Sequence, residues 1–312
     1  WRPTLSSQSC FWPVAECRTV IACRANNMLS VRAVAGRGRG AVARGHVHQG
    51  TSLLVCTPIA AVLKQAAGAA CSYCAQCMRA MAEGSADRYC GTECARSATA
   101  RGADILARAD LRPLERLQKE QGRKFPLLAA QLLANLLNGL KVARAPPSAW
   151  SHAMELCHAV LHPEALAQVT GEHATLLHAF ADAGIAPIST LELLMPLSRY
   201  SQILGACQLN AFELRLSHGA LISCLLPSTA SMFNHSCTPN ILVHAGETTE
   251  THFIAAEDIA AGNRTAHLTL TLDRPTSANR LCAMLVVHGD GGVWRWRRMA
   301  TAANGACSVR RG

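Results

Sequence analysis

The run 234–240 reads Asn-His-Ser-Cys-Thr-Pro-Asn and is the first of three groups of chemically versatile side chains in the sequence. Asn234 carries an amide donor and a carbonyl acceptor on one short side chain, and His235 adds ring nitrogens that donate or accept. Pro239 fixes its own φ and disfavours helix at the residue before it. The run is therefore predicted to be a tight, polar, non-helical segment. An ordinary turn around a satisfied core histidine is the alternative interpretation.

A second chemically active group is a set of closely spaced cysteines. Of the 15 cysteines in the chain, five fall between Cys71 and Cys94, with C-x-x-C and C-x-x-x-C spacings. Thiolates at such short spacings converge on one tetrahedral zinc ion, and this use of cysteine is typical of a reducing compartment. Ordinary free thiols are the alternative. A zinc ion held by four thiolates has no open position, so its role would be structural.

A third group alternates glycine and arginine near the N-terminal end of the chain. Short apolar runs at 31–34, 41–43 and 53–56 predict strands, with turns at Gly36–Gly40 and Gln49-Gly50. Glycine lets a backbone approach a ligand closely, and arginine suits a carboxylate. A disordered, RNA-binding Gly/Arg segment is the alternative interpretation.

Strands are predicted beside these groups, and helices are predicted between them. Residues 241–244 and 252–255 read as strands. Asp104 to Leu140 reads as helical, and Pro126 begins a new segment within it. Leucines over 127–140 lie at helical spacing and predict a packing stripe. The predicted polar side of that helix comprises Gln131, Asn135 and Asn138. The predicted caps are Asp104 and Asp110.

Composition limits the function classes. The chain has 312 residues, 50% hydrophobic composition and a formal charge of +10, enough length for more than one domain. No apolar run reaches the roughly 18 residues of a membrane span, and no signal peptide is evident, so we expect no membrane partner. Basic surfaces are mostly solvated, so nucleic-acid binding is not expected. These features favour the nucleus, the cytoplasm or both.

The run 234–240 resembles the N-H-S-C-x-P-N signature of SET-domain protein methyltransferases, in the form used by the SET-and-MYND (SMYD-type) group. In that family the signature threads under a neighbouring loop in a knot-like arrangement. The glycine-arginine turn resembles the family's (K/R)-G-R-G turn, and Asn210 matches the Asn of its N-x-F segment. The resemblance implies S-adenosylmethionine as cofactor. The implied cofactor-binding residues are Arg37, Gly38, Arg39, Asn210, Asn234 and His235.

The cysteines resemble part of the MYND zinc finger, in which the first and third cysteine pairs share one zinc ion. The implied zinc ligands are Cys71, Cys74, Cys90 and Cys94. The family's second C-x-x-C pair and closing H-x-x-x-C are missing here, so one zinc ion is expected and Cys77 is left over.

The resemblance implies an α+β fold, a SET-domain β-fold of short strands split by a MYND-like zinc finger and a helical insert. The expected division of the chain is a lead-in at 1–27, a first SET half at 28–66, the zinc finger at 71–97, the helical insert at 98–220, the SET core at 221–275 and a diverged tail at 276–312.

The implied activity is S-adenosylmethionine-dependent protein-lysine N-methyltransfer to a histone tail or another lysine-containing protein. The family's catalytic tyrosine is not found: Thr269 occupies its position, and no tyrosine follows Tyr200. The family's C-terminal C-x-C-x-x-C cluster is also missing from the tail. Turnover is therefore expected to be impaired. The alternative is a catalytically inactive, zinc-binding interaction module that meets protein partners through its zinc finger and helices.

Overall fold

The structure is a computed structural model. It describes residues 24–25, 27–34, 38–66, 72–143, 147–161, 163–236, 239–263, 265–267, 283–288 and 294–299. Within those ranges, none of the helices combines the length and apolar character that a membrane span needs.

Short strands come from both ends of the described chain. They are β1 (Arg24–Ala25), β2 (Leu29–Val34), β3 (Gly38–Ala43), β4 (Ser52–Cys56), β5 (Ala60–Gln65), β6 (Ala211–Arg215), β7 (Leu221–Leu225), β8 (Asn234–His235), β9 (Ile241–Ala245), β10 (Thr251–Ala255), β11 (Ala266–His267), β12 (Ala283–His288) and β13 (Trp294–Met299). One sheet has the order β1-β4-β10-β9-β11-β8, and a second has the order β5-β7-β6. The pairs β2-β3 and β12-β13 are antiparallel ladders of their own.

The helices lie between β5 and β6 in the sequence, after the cysteine-rich segment. They are α1 (Thr92–Ala100), α2 (Ala103–Arg108), α3 (Arg112–Glu120), α4 (Pro126–Ala143), α5 (Ser148–Glu155), α6 (Pro163–Ala181), α7 (Ile188–Leu194) and α8 (Leu197–Asn210). The predicted leucine stripe of α4 is at the centre of their core, and Leu128, Leu132 and Leu133 are fully buried. Apolar burial of this kind, rather than helix propensity, supplies most of the stability of such helices.

The helical region is an insertion within a β-fold. Strand β5 precedes it and β6 follows it, yet both pair with β7, so one three-stranded sheet closes across the insertion. The side-chain amide of Gln131 on α4 joins the two parts, because it accepts from Ala61 N at 2.9 Å and donates to Ala61 O at 2.7 Å. The predicted α+β class, with short strands split by a cysteine-rich segment and helices, is confirmed.

The signature segment crosses over another part of the chain. Strand β11 lies between β8 and β9 and is parallel to both. The paired residues are Ala266 with Asn234, and His267 with both His235 and Ile241. The connection 236–240 joins β8 to β9, so it must pass from one side of β11 to the other. Strand β11 therefore lies between two strands that are joined by a short connection.

Three local expectations differ from the structure. Gly38 and Gly40 belong to strand β3 rather than to a turn, because β3 pairs residue by residue with β2. Asn135 is buried rather than on a solvated face, because neighbouring helices cover that side of α4. Neither predicted cap is at the N-cap position: α2 starts after Gly102, which is in the left-handed region, and α3 starts after Leu111. Asp110 precedes Leu111 and accepts from Arg112 N at 3.2 Å.

Candidate functional site

The side chain of Asn234 brings the signature against strand β3. Its Nδ2 donates to the carbonyl oxygen of Arg39 over 3.4 Å. Gly40 makes the approach feasible, since a Cβ on this residue would lie 2.3 Å from Asn234 Nδ2 and 2.8 Å from Val34 Cγ2. The Asn234 amide therefore occupies the space that a side chain at position 40 would fill. Glycine permits such a close approach.

Gly262, Asn263 and Thr265 bond to the same strand. Gly262 N donates to Ala43 O at 2.8 Å, and Ala43 N donates to Asn263 O at 3.0 Å. Thr265 is fully buried, and both its backbone N–H and its hydroxyl donate to Ala41 O, at 3.0 and 2.9 Å. Strand β3, the signature and the segment that leads into β11 therefore form one hydrogen-bonded unit.

The remaining predicted cofactor residues divide into three groups. Gly38 and the exposed Arg39 begin strand β3, and the backbone of His235 pairs in β8 next to Asn234. Asn210 ends α8, where its Nδ2 donates to Cys157 O at 2.8 Å and to Ala206 O at 2.7 Å. These contacts tie the Asn210 amide to the helical insert. Arg37 and Thr269 lie outside the described residues.

Four cysteines converge at a second site. The sulfur atoms of Cys74, Cys77, Cys90 and Cys94 all lie within 4.8 Å of one another. Cys90 Sγ lies 3.6 Å from Cys77 Sγ and 3.5 Å from Cys94 Sγ. Zinc–sulfur bonds of about 2.3 Å place the ligand atoms of a tetrahedral site about 3.8 Å apart. The donor set and its spacing therefore fit one zinc ion with four thiolates.

Local backbone geometry produces this convergence. Cys74 N donates to Arg79 O and Met78 N donates to Cys74 O, each at 2.9 Å, so the chain folds back tightly around Cys74 and Cys77. Met78 adopts φ 59, a left-handed conformation that such a turn requires and that non-glycine residues adopt rarely. Cys94 lies in the first turn of α1, where the helix dipole favours negative charge. The two cysteine pairs are therefore placed by a tight turn and a helix start.

The thiols differ in how readily they ionise without a metal ion. Burial disfavours ionisation of Cys74, but hydrogen bonds from the backbone of Cys77, Cys90 and Gln76 outweigh it and lower the pKa of Cys74 to about 7. Burial, together with the adjacent Cys74 and Cys90 thiols, raises the pKa of Cys77 to about 11. Burial and the same crowding raise the pKa of Cys94 as well. Four thiolates this close need a cation to neutralise them, which a divalent ion supplies.

The cysteine site is attached directly to the β-region. Thr249 N donates to Cys77 O at 2.9 Å, and His218 Nε2 donates to Met78 O at 3.0 Å. The Tyr73 and His218 rings add a contact with 5.3 Å between centroids. The cysteine turn is therefore in direct contact with the loops that follow β6 and β9.

Comparisons with known proteins give a structural likeness only. No family profile matches the chain, and no curated protein matches it. The chain is similar to a solved structure of the SET domain of LSMT bound to lysine and AdoHcy, with TM-score 0.42 and 12% identity over 92% of this chain and 65% of that one. It is also similar to the same SET domain bound to MeLysine and AdoHcy, with TM-score 0.37 and 13% identity over 89% and 63%. The chain thus spans less than two thirds of either length.

Sequence reasoning missed Cys77 as a member of the cysteine cluster. Of the predicted ligands, Cys74, Cys90 and Cys94 lie together, and Cys77 is the fourth thiol; Cys71 lies outside the described residues. The signal was present, because Cys74 to Cys77 has the same C-x-x-C spacing as Cys71 to Cys74. With three cysteines at that spacing, the sequence offers two equivalent pairs, and in the described residues the fold of the turn brings Cys77 to Cys74, Cys90 and Cys94.

Proposed function

We propose that this chain is a SET-type, S-adenosylmethionine-dependent protein-lysine N-methyltransferase whose turnover is impaired. The observation that carries the proposal is the contact of Asn234 with Arg39, residues 195 positions apart in sequence. It joins two of the segments for which the family resemblance implied cofactor binding, and it depends on a glycine where a side chain would clash. The parallel pairing of β8 with β11 adds support, because it holds the backbone of Asn234 and His235 against the strand that Thr265 leads into.

Each residue of this unit has a chemical role in the proposal. Arg39, with Arg37, would pair with the cofactor's carboxylate, because guanidinium and carboxylate form charge-assisted hydrogen bonds. Gly38 and Gly40 would let the backbone of β3 approach the ligand. Asn234 and His235 would hydrogen-bond its polar groups. Asn210 remains a proposed contact through its carbonyl oxygen, since its amide nitrogen already binds two backbone carbonyls.

Methyl transfer to lysine needs positioning more than acid–base catalysis. When bound, S-adenosylmethionine would supply an activated methyl group. The protein must hold a lysine amine about 3 to 3.5 Å from that group and in line with it. It must also favour the uncharged amine, which a channel of low polarity does by lowering the lysine pKa. Thr269 has a hydroxyl on a much shorter side chain than the expected tyrosine, so it does not reach the same point beside the amine.

The cysteine cluster completes the proposal as a structural zinc site of MYND type. Its ligands would be Cys74, Cys77, Cys90 and Cys94, with no open position for a substrate. The substrate would be a lysine-containing protein, such as a histone tail, in the nucleus or cytoplasm. The zinc finger and helices offer surfaces for protein partners.

A non-catalytic module that still binds S-adenosylmethionine is the second candidate. Threonine at position 269 and the engagement of the Asn210 amide with the helical insert favour it. Two measurements on one preparation separate the candidates: calorimetric binding of S-adenosylmethionine, and transfer of a radiolabelled methyl group to histones or cell-extract proteins. Binding with slow transfer supports the enzyme, binding without transfer supports the module, and loss of both rejects the SET-type assignment.

A further inference from the structure

A short antiparallel pairing outside the proposed cofactor site holds three metal-binding side chains on one surface. Val47 pairs with Ile259 through two hydrogen bonds, Val47 N to Ile259 O at 2.9 Å and Ile259 N to Val47 O at 2.8 Å. Both side chains are buried. Because side chains alternate along extended chain, the flanking residues must face solvent together. Those residues are His46, His48 and Asp258, and all three are exposed.

The three side chains are already close to ligand spacing. The rings of His46 and His48 lie 4.6 Å apart between centroids, and His48 Nδ1 lies 3.9 Å from Asp258 Oδ1. One ligand atom from each residue lies within 4.8 Å of the others. Gln49 N donates to Asp258 Oδ1 at 2.8 Å, which orients the carboxylate, and a carboxylate has a second oxygen for a metal.

The donor set selects a class of ion. Metal bonds of about 2.0 to 2.2 Å to imidazole nitrogen and carboxylate oxygen place ligand atoms about 3.4 Å apart around a tetrahedral ion. The exposed rings can close that small difference by rotating about their own side-chain bonds. Imidazole suits zinc, nickel and copper, whereas calcium and magnesium prefer oxygen ligands alone. Two imidazoles and one carboxylate leave at least one position for water.

We propose that His46, His48 and Asp258 form a surface site for a divalent transition-metal ion of the zinc and nickel type. The ion bridges two segments that are far apart in sequence, the turn 44–50 and the loop 256–262. Gly262 in that loop also donates a hydrogen bond to Ala43 of β3. The bound ion therefore stabilises the contact between this loop and β3. A ligand that binds only the folded chain raises its melting temperature. The site is independent of the cysteine cluster and of the proposed methyl transfer.

The test is a calorimetric titration of Ni²⁺ into the full chain after its cysteine site has been filled with zinc. We expect the wild type to take up one more equivalent of Ni²⁺ than the double variant His46→Ala/His48→Ala. The melting temperature should rise with Ni²⁺ in the wild type and stay constant in the double variant. Asp258→Asn keeps the acceptor for Gln49 N and weakens Ni²⁺ binding roughly tenfold or more, since even outer-shell changes cost about that much.

The matched control is His178→Ala. His178 Nδ1 and Asp182 Oδ1 are also 3.9 Å apart and exposed, but in the described residues they belong to no group of three metal-binding side chains. This variant should bind Ni²⁺ like the wild type. Equal uptake by the wild type and the double variant, whether both bind or neither does, would overturn the proposal.

Discussion

Asn234 Nδ2 donates to the carbonyl oxygen of Arg39, across the space where Gly40 has no side chain. This contact brings a polar segment from the C-terminal half of the chain onto a strand from its N-terminal half. The strand is also held by Asn263 and Thr265, which lead into β11. A ligand that contacts both segments would therefore meet a preformed surface, and its binding would not include the free-energy cost of ordering that surface.

A methyl group added at Gly40 should disrupt this surface selectively. The new Cβ of Gly40→Ala would meet Asn234 Nδ2 at 2.3 Å and Val34 Cγ2 at 2.8 Å, both at the ends of side chains. Those ends can move, so we expect a small loss of stability and a clear loss of S-adenosylmethionine affinity, roughly tenfold for one or two lost hydrogen bonds. Isothermal calorimetry measures the affinity and thermal unfolding measures the stability.

The control for that variant is Gly45→Ala, because a Cβ on Gly45 would have no atom within 4 Å. It should leave both properties unchanged. If Gly40→Ala and Gly45→Ala bind S-adenosylmethionine equally well, the Asn234 amide is not part of the binding surface.

Zinc content should depend on Cys77 more than on Cys71. Cys77 completes a cluster of four sulfur atoms with ligand spacing, so Cys77→Ser should lower zinc affinity more than Cys71→Ser does. Elemental analysis of the reduced wild type should give one zinc ion per chain, and chelator competition compares the variants. Two zinc ions, none, or a greater loss in Cys71→Ser would contradict this assignment.

The helical insert contains a buried charge pair whose loss should destabilise the chain. Arg123 Nε donates to Glu172 Oε2 at 2.6 Å, Glu172 is only 3% exposed, and the Tyr200 hydroxyl donates to its other oxygen. Arg123→Met leaves the carboxylate without its cation, which typically costs about 3 to 5 kcal/mol. Denaturant unfolding measures that loss.

An exposed arginine serves as the control for Arg123. Arg112 pairs with Asp110 on the surface, with 83% of the Arg112 side chain exposed. Surface pairs contribute little, so Arg112→Met should unfold like the wild type. Similar stabilities of Arg123→Met and Arg112→Met would show that the buried pair is not a stabilising feature.

Methyl transfer by the wild type should be slow even when S-adenosylmethionine binds. Loss of a positioned catalytic group costs on the order of a hundredfold or more, and we do not expect the shorter side chain of Thr269 to replace the tyrosine hydroxyl. A radiolabel assay with histones and cell-extract proteins should show little transfer. Thr269→Tyr should leave S-adenosylmethionine affinity unchanged, since Thr269 is not among the proposed cofactor-binding residues. Robust lysine methylation by the wild type would show that this expectation is wrong.

Much of the fold followed from local sequence patterns. Strands β4, β9 and β10 were predictable because apolar runs between turn residues are typical of strands, and the residues of α4 repeat their leucines at helical spacing. The two-residue strands β8 and β11 have no such pattern. Their pairing depends on contacts between segments that are distant in sequence, and only the resemblance of 234–240 to a known signature pointed to it.

Side-chain environments were harder to predict than elements. Asn135 and Gln131 both occupy the polar side of α4 in sequence, yet Asn135 is buried and Gln131 binds the backbone of Ala61. The place of Cys77 in the cysteine cluster likewise needed the geometry of the turn. In each case the environment of the side chain is determined by residues of another element. Periodicity within the segment itself could not reveal those neighbours.

The proposed cofactor site is tested by a calorimetric titration of S-adenosylmethionine into the wild type, Asn234→Ala and Asn138→Ala. Asn138 is a matched control, because its Nδ2 also donates to backbone carbonyls, those of Thr99 and Ala100 in the helical insert. We predict saturable binding by the wild type and Asn138→Ala, and roughly tenfold or weaker binding by folded Asn234→Ala. Equal affinity of all three proteins, or no binding by the wild type, would contradict the account.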